Sequence, residues 1–169
     1  MFSRISLIVT LMCSRVALGQ ISHADYSWID DDYPYTWPPH ANEAWKVFMY
    51  PEDTHRYALD TAAGAKEWRA LIPGTSNGTV YLGPRRRPFT IAMFHQLQCL
   101  DILRLALVDE EHAGDGLVHH CMNYLRQMSM CQANTHLESV RSDIGPKITD
   151  LTRGGYVCQD WRVLYDLVE

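Results

Sequence analysis

Beyond the short run Ile5–Cys13, the chain has no long apolar stretch, whereas a bilayer span takes about 20 residues. It is also poor in positive charge: 15 Lys and Arg against 20 Asp and Glu give a net charge of −5, and the sole dense basic cluster is Arg85-Arg86-Arg87. Phosphate binding needs an extended basic face, so no nucleic-acid partner is expected. No zinc-finger spacing, metalloprotease helix signature, phosphate-binding glycine loop, nucleophile elbow or dinucleotide fingerprint occurs. What is present is ordinary globular material. With 47% hydrophobic and 21% charged residues the chain is no disordered tail, and 169 residues fit one domain.

Residues 1–19 read as a signal peptide: Arg4 precedes the apolar run, and Ala17-Leu18-Gly19 supply the small residues of a cleavage site. Arg15 is atypical there, and an uncleaved anchor is the alternative. The mature domain, residues 20–169, is then expected in the secretory pathway or outside the cell, with no stable membrane span. That compartment keeps an even set of cysteines, Cys99, Cys121, Cys131 and Cys158, under oxidising conditions. Of the three pairings open to them, the favoured one joins Cys99 to Cys121 and Cys131 to Cys158. Sulfurs so bonded cannot serve as thiolate metal ligands. Asn77-Gly78-Thr79 is an N-glycosylation acceptor in a Gly/Ser/Thr-rich stretch.

The pattern along the chain predicts a mainly α fold, a small single domain built on an antiparallel helical hairpin with an extended aromatic N-terminal arm and a short β element. From Ile21 to Pro51, Tyr26, Trp28, Tyr33, Tyr35, Trp37 and Trp45 alternate with prolines, so this arm should run extended and bury its rings on the body. A helix is expected over Thr61–Leu71, capped by Asp60 or Thr61 and stopped by Ile72-Pro73-Gly74, then a strand over Thr79–Leu82. Arg85–Arg87 read as a solvated connector, with an anionic-substrate clamp as the sharper alternative. Apolar residues then cover Thr90–Val108 and Leu117–Cys131, split by a charged, glycine-containing link, and short links make helices antiparallel.

The chemistry sits on those two helices. His95, Gln98 and Cys99 fall at i, i+3 and i+4 on one face of the first, while Leu117, His120, Cys121, Tyr124 and Met128 form the facing stripe of the second. His119 lies about 100° around the axis from His120 and is the less inward group. Two imidazoles from facing helices, supported by Gln98 or Tyr124, make a sparse copper site with coordination positions left for dioxygen or substrate. The competing reading is a pair of hydrogen-bonded core histidines. His23, His40, His55, His112 and His136 form no spaced cluster.

Phe94-His95-Gln96-Leu97-Gln98-Cys99-Leu100-Asp101, then His120-Cys121-Met122-Asn123-Tyr124-Leu125-Arg126-Gln127 and Met130-Cys131, resembles the fungal UstYa-like oxidase family, whose hallmark is two His-x-x-His-Cys motifs. Tyr33-Pro34 with Trp37-Pro38, the stretch from Gly83-Pro84 through Arg87-Pro88-Phe89, and Cys158 with Asp160-Trp161 extend the resemblance over nearly the whole mature chain. The resemblance implies a copper-dependent oxidase of fungal secondary-metabolite (mycotoxin or modified peptide) biosynthesis. It would act on a small-molecule or peptide metabolite by oxidative cyclisation, hydroxylation, dehydrogenation or halogenation, and other pathway enzymes are candidate partners. The motif positions carried over are His95, Cys99, His120 and Cys121 as the catalytic set, with His95 and His120 as metal ligands. Two motif histidines are replaced, by Gln98 and Leu117; glutamine is a weak copper ligand and leucine none. Two classes of function follow: an oxidase working with two histidines, or a non-redox accessory or binding member that kept the scaffold and lost the metal.

Overall fold

The computed structural model describes residues 25–38, 45–109, 111, 114, 116–140, 144, 149–150 and 154–168. The expected signal segment 1–19, and with it Cys13, lies outside them, as do His23, His40 and His112. Strand β1 (Lys46–Met49), helix α1 (Ala62–Ala70), strands β2 (Thr79–Leu82) and β3 (Arg87–Thr90), helices α2 (Ala92–Val108) and α3 (Gly116–Gln132), strand β4 (Tyr156–Gln159) and helix α4 (Arg162–Val168) follow in order. The mainly α expectation holds, and the helical pair is its largest unit. None of the described helices is long and apolar enough to cross a membrane.

Helix α1 starts where the sequence indicated. The Thr61 hydroxyl accepts from the Gly64 amide at 3.0 Å, satisfying a donor that the first turn leaves open. Gly64 is required at that point, because a Cβ there would strike the Ala58 backbone. The arginine cluster is not a plain connector. Arg87 opens β3, which pairs antiparallel with β2 from Leu82↔Arg87 to Thr79↔Thr90, and this pairing delays the next helix from Thr90 to Ala92. Pro88 is tolerated because a two-stranded sheet leaves each strand an unpaired edge.

The aromatic arm is only partly as expected. Around Trp28–Asp32 it closes into a loop in which Trp28 N donates to the Asp32 carbonyl at 3.0 Å and Ser27 N to the Asp32 carboxylate at 2.7 Å. Trp28 is buried against Phe89, whereas Tyr35 is 87% exposed. Arg87 fastens the loop, donating to the carbonyls of Asp30 at 2.6 Å and Trp28 at 3.4 Å while its guanidinium lies 5.0 Å from the Tyr33 and Phe89 ring centres. At the arm's far end β1 pairs antiparallel with β4, Lys46↔Gln159 to Met49↔Tyr156, a sheet joining segments far apart in sequence.

The core gathers on the first turn of α2. Phe94 is fully buried with Val80 and Val168, and the Tyr165 ring meets it edge-on at 5.1 Å. Tyr165 also donates to the Leu71 carbonyl at 2.7 Å, which ties α4 to the end of α1. Gly78 (φ 74°) passes so close to Phe94 that a Cβ would collide with it. Further along α2, Arg104 is buried; it donates to Asp101 at 2.7 Å and to the Leu59 carbonyl at 2.9 Å. Arg104→Met strands both acceptors, and urea denaturation should show a loss of about 2–4 kcal/mol. An unchanged midpoint would mean that water replaces the guanidinium without cost.

Candidate functional site

Helix α2 is fixed in rotation by Phe94, and the next residue, His95, therefore turns about 100° away from the core toward α3. One turn further on, Cys99 is disulfide-bonded to Cys121 of α3, with their Cα atoms 5.0 Å apart and both side chains buried. The bond sets the register of two antiparallel helices. His120, adjacent to Cys121, is thereby brought opposite His95, and Tyr124, one turn on, comes closer still.

The three rings form a triangle. The His95 and His120 centres are 5.7 Å apart with planes 25° apart; Tyr124 stacks on His95 at 4.1 Å and lies 6.4 Å from His120. His120 faces solvent, whereas His95 is half-buried. Burial, and secondarily the nearby His120 charge, hold the His95 pKa below the ordinary imidazole value. At neutral pH His95 is thus an uncharged ring with a lone pair to offer.

Of the four sequence-predicted site residues, the structure brings all together and divides them by role. Cys99 and Cys121 are spent on each other and are not thiolate ligands. The second expected pairing is not formed. Cys131, on the exposed last turn of α3, and Cys158, on β4, are both free thiols. Gln98, at the motif's second histidine, donates its side-chain amide to the Asn77 carbonyl at 2.9 Å, away from the ring pair. Leu117 is 48% exposed at the start of α3. His119 also stays outward, with the Asn123 amide 3.1 Å from its Nε2. Sequence reasoning missed the Asn77 contact, which uses a backbone oxygen and so leaves no residue-type signal.

Among the described residues no group of three His, Cys, Asp or Glu is placed to hold a metal. The donor set is two imidazoles. Ring nitrogens bind an ion at about 2 Å, so two rings sharing one ion have centres no more than about 6 Å apart, and the 5.7 Å separation lies within that reach. As a donor set, two imidazoles suit a sparsely ligated ion of the kind imidazole favours and are too few for a closed structural zinc site.

Two outcomes test this geometry. A His whose folded pKa lies below its unfolded value of about 6.5 contributes stability that is complete above that pH and is lost as pH falls through the folded value. The melting temperature of the parent should therefore fall more than that of His95→Gln between about pH 7.5 and about pH 5.5; parallel curves would refute the shift. The Cys99→Ala, Cys121→Ala double variant opens a 22-residue loop and should lose about 3 kcal/mol in denaturant unfolding; an unchanged stability would show that packing alone holds the register.

The chain matches the family described as "Mycotoxin biosynthesis protein UstYa" over residues 20–166. It is 28% identical over 102 residues to the "UstYa family oxidase phomYe" of Diaporthe leptostromiformis, covering 50% of this chain and 34% of that protein. It is 30% identical over 125 residues to "UstYa family oxidase phomYd" of the same organism, covering 69% of this chain and 36% of that protein. The chain thus spans about a third of the length of these relatives. No solved structure matches. With the family match running through both helices of the hairpin and on to the C-terminal helix, the chain belongs to the UstYa family.

Proposed function

We propose that this chain is a tailoring oxidase of fungal secondary metabolism whose reaction centre is the His95–His120 pair, loaded with copper. The observation that carries the reading is the approach of two imidazoles at 5.7 Å, one of them held neutral by burial. Two relatives named as oxidases support the reaction class.

The residues have separable tasks. His95 and His120 would hold the ion through ring nitrogens, and bound copper would supply one-electron chemistry with dioxygen. Tyr124 covers a face of His95 and keeps water from it on that side. The Cys99–Cys121 bond holds both helices in register and withholds sulfur from the ion. The exposure of His120 leaves the pair open to a substrate arriving from solvent. Oxidative cyclisation, hydroxylation and dehydrogenation of a metabolite or peptide scaffold all fall within this chemistry. Residues 1–19 would direct the chain into the secretory pathway. Asn77, exposed in its turn, would there be open to glycosylation.

One observation favours a second reading. With Gln98 bonded to Asn77 and Leu117 at the surface, two motif positions bring no imidazole to the pair, as in an accessory member that has lost the metal. Metal analysis of the protein purified from a eukaryotic secretory host separates the two. About one copper per chain, absent from the His95→Ala, His120→Ala variant, is the oxidase outcome. Metal-free, folded protein with the Cys99–Cys121 bond intact is the accessory outcome and would overturn the first reading.

A further inference from the structure

A cavity of about 670 Å³ lies where the aromatic arm, the β2–β3 sheet, the first turn of α2 and the start of α4 meet. His95, His120 and Tyr124 are not among its lining residues. Its size falls within the range of small-molecule sites. Four of the chain's five tryptophans line it, Trp28, Trp37, Trp45 and Trp161, and Tyr33 and Phe89 add further ring surface.

The charge of the wall is as informative as its rings. Among the described residues no Lys, Arg or His lines the cavity. The one charged residue among the described lining is Asp160, and Arg162 donates to both carboxylate oxygens at 2.7 Å, so that charge is already matched. Arg87, the cation beside Tyr33 and Phe89, is committed to arm carbonyls. An anionic ligand would leave water here without a countercharge and bind poorly. Flat aromatic surface, by contrast, gains both burial and ring-on-ring contact. Gln96, Gln132 and Gln159 also line the cavity, and a glutamine amide can both donate and accept. Gln96 directly follows His95, so a ligand touching it lies against the helical turn that carries that imidazole.

We propose that this cavity anchors an uncharged, planar aromatic ring system bearing hydroxyl or amide groups, held beside the His95 turn as the recognised part of the substrate. The catalytic meaning of the site rests on the oxidase reading above, but its occupancy is measurable without metal or turnover. The lining tryptophans supply the signal, by energy transfer to a bound dye.

The test titrates the full chain with two naphthalene dyes, neutral 6-propionyl-2-dimethylaminonaphthalene and anionic 1-anilinonaphthalene-8-sulfonate. The neutral dye should bind at one site at least about tenfold more tightly than the sulfonate. Ala92→Phe, which places a ring in the cavity wall, should weaken the neutral dye by about tenfold. Gln96→Lys, which supplies the missing countercharge, should shift the preference toward the sulfonate. The His95→Ala, His120→Ala variant should bind the neutral dye as the parent does. Equal binding of both dyes, neutral-dye binding that survives Ala92→Phe in folded protein, no shift in Gln96→Lys, or binding lost with the two histidines would each overturn the proposal. Dye binding by metal-free protein would leave the cavity assignment standing while the copper reading falls, so the two fail separately.

Discussion

The covalent bond between Cys99 and Cys121 is the constraint on which the rest of the arrangement depends. Two helices can slide and rotate against one another by fractions of a turn at modest cost, and a shift of one residue turns a side chain by about 100°. A bond at mid-helix removes that freedom. Because His120 adjoins one sulfur-bearing residue and His95 lies one turn from the other, their relative position follows from helix geometry once the bond exists. The motif's cysteines are thus the frame of the site, and its histidines are the contents.

The core supplies the other half of the frame. Phe94 is gripped by Val80, Val168 and Tyr165, and the chain beneath it must be glycine, so α2 has one permitted rotation. Adjacent residues on α2 then serve opposite ends: Phe94 points into the core and His95 toward α3. This coupling also explains why His95 is half-buried and prefers to be neutral. The same packing that fixes the helix draws the ring away from water, and the stacked Tyr124 closes one of its faces.

Much of this is legible in the residues, and the omissions have a common cause. The helical hairpin, the α1 cap at Thr61 and the β2 run depend on periodicity and local propensity, which a sequence displays directly. The β1–β4 sheet pairs Lys46–Met49 with Tyr156–Gln159 across more than half the chain, and four-residue strands carry too little alternation to announce such a partner. Helix α4 is only seven residues long and is held by tertiary contacts through Val168 and Tyr165. Arg87 looks like one of three equivalent surface charges until its carbonyl acceptors near Trp28 are known. The expected Cys131–Cys158 pair rested on an even cysteine count in an oxidising compartment, and neither fixes distance or direction. At the site, residue types gave the two imidazoles and the sulfur pair, but the destination of Gln98 depended on a backbone oxygen 21 residues away.

That last contact bears on how the chain could have come to differ from its family's pattern. The Asn77 carbonyl belongs to a turn whose next residue is held under Phe94, so it presents a fixed acceptor to position 98. An imidazole restored there would be offered the same oxygen, and reaching toward its fellow rings would mean abandoning it. The loop before β2 therefore holds the side chain at position 98, and a lineage that altered this turn could release that position without touching either helix.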